Sequence, residues 1–89
     1  MIKSSITISN KLGLHARASA KLTKLSGSFK SEIHLTRNER RVNAKSIMGV
    51  MMLAAGMGSE VVIETDGVDE QQAMAALREL IDGKFGEGE

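Results

Sequence analysis

Gly13-Leu14-His15-Ala16-Arg17 stands where the apolar spacing of this chain changes from every second residue to every third or fourth. Before it, Ile2, Ser4, Ile6 and Ile8 alternate with Lys3, Ser5 and Thr7, the period of a half-buried strand. After it, Ala18, Leu22 and Leu25 share one helical face from which Arg17, Lys21 and Lys24 are excluded. The pattern predicts a helix from Ala16 to about Ser26, ended by Gly27, with Ser9–Gly13 as the preceding loop. His15 therefore sits at a strand-to-helix corner. A helix start carries unpaired backbone N–H groups and the positive end of the macrodipole, so it suits an anion. An imidazole there can hold a phosphoryl group on nitrogen, with the N–H groups of Ala16 and Arg17 and the Arg17 guanidinium close to its oxygens. The same residues equally describe an ordinary surface histidine at a helix cap, and type and spacing alone do not choose between the two.

Outward from this corner the elements follow in order. Ile33 and Leu35 alternate with Glu32, His34 and Thr36 in a second strand, Asn38-Glu39 reads as a hairpin turn, and Arg40–Asn43 as a short third strand. Ser46 is a candidate N-cap for a short helix through Ile47, Met48, Val50, Met51 and Leu53, closed by Gly56 and Gly58. Val61 and Ile63 face inward on a fourth strand. A last helix carries the stripe Ala73, Leu77, Leu80 and Ile81 with Met74 alongside; Asp69 and Gln72 have capping-box spacing, and Gly83 stops it. The tail from Gly86 to Glu89 reads from its composition as disordered. The order β-α-β-β-α-β-α implies one α+β domain over residues 1–89, an open-faced sandwich with three helices on one side of a mainly antiparallel four-stranded sheet.

Composition narrows the function. With no cysteine there is neither a disulfide nor a thiolate metal cage, and His15 and His34 lack zinc-site spacing. Twelve basic against eleven acidic residues argue against a general polyanion binder, and two aromatics, Phe29 and Phe85, against base stacking, so no nucleic-acid partner is expected. Without a signal segment or a bilayer-length apolar run, a cytoplasmic protein with no membrane insertion is expected. His34 reads as a residue on the polar face of its strand.

Three motifs carry a family resemblance over nearly the whole length: Gly13-Leu14-His15-Ala16-Arg17, Lys45-Ser46-Ile47-Met48-Gly49-Val50-Met51, and Gly67-Val68-Asp69-Glu70. At this separation they resemble HPr, the histidine-containing phosphocarrier of the bacterial phosphotransferase system. The resemblance implies that His15 accepts a phosphoryl group from enzyme I, itself charged by phosphoenolpyruvate, and passes it to a histidine of an enzyme IIA. Arg17 would neutralise charge on the transferring group. The resemblance also implies a carrier without cofactor or metal, acting as a monomer, whose catalysis its partners complete. Ser46 would be the regulatory site of an HPr kinase/phosphorylase. The family usually has proline where this chain has Ala18, which restores a free N–H near the site. The segments Asn10–Gly13 and Gly83–Phe85 look closer to the nitrogen-related branch, and Lys45–Gly49 to the sugar-system branch. Ile47, Met48 and Met51 cannot all point inward with Val50 and Leu53, so an adaptable apolar docking patch near His15 is expected. Arg17, Lys24 and Lys45 would form its basic rim, suited to acidic partner surfaces.

Overall fold

The alternating segment Ile2–Thr7 forms β1 of the computed structural model, which describes residues 1–87. Helix α1 spans Ala16–Gly27, β2 Glu32–Arg37, β3 Arg40–Asn43, α2 Ile47–Met52, β4 Glu60–Asp66 and α3 Glu70–Asp82. The strands pair in the order β1-β4-β2-β3, antiparallel throughout. With β4 between β1 and β2, and β2 between β4 and β3, the connections through α1 and α2 each join two strands that run parallel, one strand apart, within a sheet whose neighbours are all antiparallel. The β2–β3 hairpin turns on Asn38 and Glu39, both with positive φ (51° and 67°), the geometry that matches strand twist in a two-residue loop.

The period-2 residues Ile6, Ile33, Leu35, Val61 and Ile63 point to one face of the sheet, where α1 and α3 cover them with Ala18, Leu22, Ala73, Leu77 and Ile81. Fully burying one such side chain stabilises the fold by about 1.5–3 kcal/mol. Leu25 and Leu80 pack at the margin of this core, partly exposed. The expected α+β sandwich is the observed one.

Three local expectations need correction. Helix α2 stops at Met52, before Gly56 and Gly58 are reached, and Ala54 turns the chain with φ 51°. Its last carbonyls are taken from outside, since Arg40 donates to Met52 O and Arg37 to Leu53 O, each at 3.1 Å. The Asp69–Gln72 capping box does not form. The Asp69 carboxylate accepts instead from Lys30 N at 2.8 Å, Ser31 N at 2.9 Å and Ser31 Oγ at 2.5 Å, because the loop after α1 lies against it with three donors. The Ser31 hydroxyl, then the Lys30 amide, hold its carboxyl down at about 2. Glu70 closes the start of α3, its Oε1 accepting from Gly67 N at 3.1 Å.

The tail is the third correction. Lys84–Gly86 forms a 3-10 turn that seats Phe85 in the core, with only 1% of it exposed. Lys21 Nζ donates to Phe85 O at 2.6 Å. Gly86 and Glu87, assigned to a disordered tail by composition, have definite places in this turn and beside His15; residues 88–89 lie outside the described residues. Phe85, just before the segment read as a tail, supplies the anchor.

Candidate functional site

Asn10 starts the corner that positions the site. Its side chain is fully buried, Nδ2 donates to Gly13 O at 2.9 Å, and Gly13 N returns to Asn10 O at 3.2 Å. Gly13 has φ 65°, and a Cβ there would stand 2.3 Å from Ala55 O, so only glycine fits. Leu14 N donates to Ala55 O at 2.8 Å, which fastens the corner to the loop after α2.

The next residue, His15, is the N-cap of α1 in extended conformation, and its carbonyl accepts the first helical bond from Ser19 N at 2.8 Å. Its ring does not cap the helix. The N–H groups of Ala16, Arg17 and Ala18 consequently begin the helix without intrahelical partners. The ring is turned toward the C-terminal segment, with Nε2 2.6 Å from Glu87 Oε2, while Asn10 Nδ2 donates to Glu87 Oε1 at 3.1 Å. Burial pushes the Glu87 carboxyl up, but the hydrogen bonds from His15 and Asn10 outweigh it and hold the group below the usual carboxylate range. Lys11, Leu12, Ala16, Arg17, Lys21 and Gly86 line the same open cleft. Arg17 is exposed and enters none of the ion pairs among the described residues.

The structure thus brings together His15, Ala16 and Arg17 as the sequence predicts, and adds Asn10, Lys11, Lys21 and Glu87. In the sequence Asn10 and Lys11 read as loop residues with a family-branch resemblance and carry no site signal, and nothing in the pattern points from Glu87 to His15. Lys24 lies in the last turn of α1, outside this cleft. Lys45 donates through Nζ to Phe29 O at 2.9 Å. Ser46 caps α2, its Oγ accepting from Gly49 N at 3.2 Å. Of the apolar residues of α2 only Val50 is buried, whereas Met48 is 67% exposed, Met52 57%, Ile47 41% and Met51 40%. His34 lies on the open face of the sheet, where Arg41 makes a double hydrogen bond to Glu64 and reaches His34 Nδ1 at 3.3 Å. Its polar-face place is as expected. Among the described residues no cluster of three acidic or histidine side chains could hold a metal ion, and no helix is long and apolar enough to cross a membrane.

Fold and site together define a small open-faced α+β sandwich that presents a histidine at an uncapped helix start beside an exposed guanidinium. A family model described as PTS HPr component, phosphorylation site, matches residues 2–83, and the chain belongs to this HPr family of phosphotransferase-system phosphocarriers. It is 66% identical to the phosphocarrier protein HPr of Cupriavidus necator, with all of both chains covered. The crystal structure of HPr-C-His from Thermoanaerobacter tengcongensis superposes with a TM-score of 0.95 at 44% identity, covering 98% of each chain. An HPr dimer from the same organism, also 44% identical, gives 0.79 over 98% of this chain and 100% of that one.

Proposed function

We propose that His15 carries the phosphoryl group of this phosphocarrier, accepting it from enzyme I and passing it to an enzyme IIA. The observation that supports this most is the ring's place at the start of α1, uncapped and beside Arg17. Incoming phosphoryl oxygens meet the free N–H groups of Ala16 and Arg17 and the positive end of the helix dipole. Arg17 neutralises charge developing on the group in transit. The partner supplies the rest of the catalytic machinery.

The test is incubation with enzyme I and phosphoenolpyruvate, followed by intact mass and acid lability. Wild type gains one phosphate that is lost in acid and survives base. A His15→Ala protein that still gains an acid-labile phosphate sinks the assignment, and His34 becomes the next residue to substitute.

Docking is assigned to the exposed face formed by Ile47, Met48 and Met51, with Arg17, Lys24 and Lys45 as a basic rim for acidic partners. Ser46 is assigned as a regulatory phosphorylation site for an HPr kinase/phosphorylase, because the hydroxyl is exposed beside that face. The carrier is taken to act as a monomer in the cytoplasm; sedimentation of the phosphorylated and free forms checks the first point against the dimer formed by its relative.

A further inference from the structure

We propose that Glu87 is a positioning residue for phosphoryl transfer, holding a proton on His15 Nε2 while the phosphoryl group arrives at and leaves from Nδ1. The proposal rests on the reading of His15 as the phosphoryl carrier. Its starting point is the contact between His15 Nε2 and Glu87 Oε2 at 2.6 Å. An ionised carboxylate can only accept a hydrogen bond, so the ring nitrogen facing it must carry the hydrogen. A neutral imidazole protonated at Nε2 has its free lone pair at Nδ1. Among the described residues nothing is hydrogen-bonded to Nδ1.

The carboxylate is itself held in place. Asn10 Nδ2, on a fully buried side chain, donates to Oε1 at 3.1 Å. Two residues earlier Phe85 is wedged into the core, and Lys21 Nζ ties its carbonyl at 2.6 Å. Glu87 is thus presented to the ring from a braced turn. The charged residues lining the cleft with the ring are Glu87, Lys11, Arg17 and Lys21, and Glu87 is the acidic one among them.

The step balances without moving a proton. The Nδ1 lone pair forms the N–P bond as the bond from phosphorus to the donor breaks, its electron pair staying with the donor. The ring becomes a cation that keeps Nε2–H. On transfer to the next acceptor the N–P pair returns to Nδ1 and leaves a neutral imidazole. If Nε2 lost its proton in between, the leaving group would be an imidazolate, a far poorer one. A carboxylate beside the ring favours the cationic phosphorylated form and therefore its discharge.

Two variants separate charge from hydrogen bonding. In the unphosphorylated protein, nitrogen-15 spectra of the neutral ring should show almost only the Nε2–H form. Glu87→Gln should keep that form, because its carbonyl still accepts, whereas Glu87→Ala should raise the Nδ1–H form severalfold. With the phosphorylated proteins and an enzyme IIA, the transfer rate should fall off at lower pH in both variants than in wild type. Melting curves establish that each variant is folded. An unchanged tautomer ratio in Glu87→Ala, or an unchanged pH profile in Glu87→Gln, overturns the proposal while leaving His15 as the carrier. Acid-labile phosphate persisting in His15→Ala is the separate result that removes the carrier reading.

Discussion

Helices α1 and α2 both start from a residue with extended backbone, His15 and Ser46, yet only Ser46 closes its helix with its own side chain. The Ser46 hydroxyl accepts from Gly49 N at 3.2 Å, while the His15 ring turns away to Glu87. One start is therefore an occupied site and the other an unoccupied one. The difference follows from residue chemistry. A hydroxyl on a short stem reaches the third amide of its own helix, and capping of this kind is worth about 1 kcal/mol. An imidazole engaged elsewhere leaves three amides for whatever the ring carries. Any phosphate placed on Ser46 has to replace a cap that already exists; a phosphoryl group on His15 meets donors that are still free.

The largest expected effect breaks the open start directly. Arg17→Ala removes the exposed guanidinium of that cleft, and the loss of electrostatic stabilisation should be on the order of 2–4 kcal/mol, or roughly 30- to 1000-fold in transfer rate. The melting temperature should hardly change, since Arg17 is exposed and makes no ion pair among the described residues. Unchanged transfer kinetics in this folded variant would rule out the role.

A substitution at Gly13 acts on the frame of the same corner. Gly13→Ala places a Cβ 2.3 Å from Ala55 O at a φ of 65°, so the corner must shift from the loop after α2. Left-handed strain alone costs about 1–3 kcal/mol, and the clash adds to it. Denaturant titration should show that loss, and transfer should slow as well because the ring moves with the corner. Full stability in Gly13→Ala would mean that the corner is not braced against that loop.

At the closed start the comparison predicts opposite signs. Phosphorylation of Ser46, or Ser46→Asp as a weaker imitation, should leave the melting temperature equal or higher, since a negative group at a helix start meets N–H donors. Acceptance at His15 from enzyme I should nonetheless slow, because the added charge faces an acidic partner and must be desolvated beside Ile47 and Met48. Moderate salt should shrink the deficit. Measuring both quantities for wild type, Ser46→Ala and Ser46→Asp decides the point: a transfer deficit that merely tracks a lower melting temperature reduces Ser46 to a structural cap.

The smallest effect concerns α3, whose start is a third case. Asp69 caps nothing and instead ties down the loop at Lys30 and Ser31, which lowers its carboxyl from 3.8 to about 2. A carboxyl depressed by folding contributes stability that is present above its unfolded value and lost as pH falls through the folded one. Wild type should therefore lose this contribution between about pH 4 and pH 2, and the stability of Asp69→Asn should vary less across that window. Equal slopes for both proteins would show that these hydrogen bonds do not favour the charged form.

What the sequence alone determined about this protein is whatever depends on short separations. Periods of two and of three to four placed β1, α1, β2, β4 and α3 and named their inward residues, because alternation and helical repeat are set by backbone geometry within a few residues. The Asn38-Glu39 turn, the Ser46 cap and the position of His15 and Arg17 at a helix start are local in the same sense. Family motifs then assigned a chemistry to that position. The tertiary structure alone decided which side chains from elsewhere meet these local features. Glu87 reaches His15 across 72 residues, and Asp69 leaves its own helix for donors 38 and 39 residues away. Arg37 and Arg40 end α2 from the neighbouring hairpin, and Phe85 closes the core from beyond the end of α3. Each of these contacts depends on where the sheet order and the helix packing bring distant segments together, and no local pattern in the chain encodes that meeting.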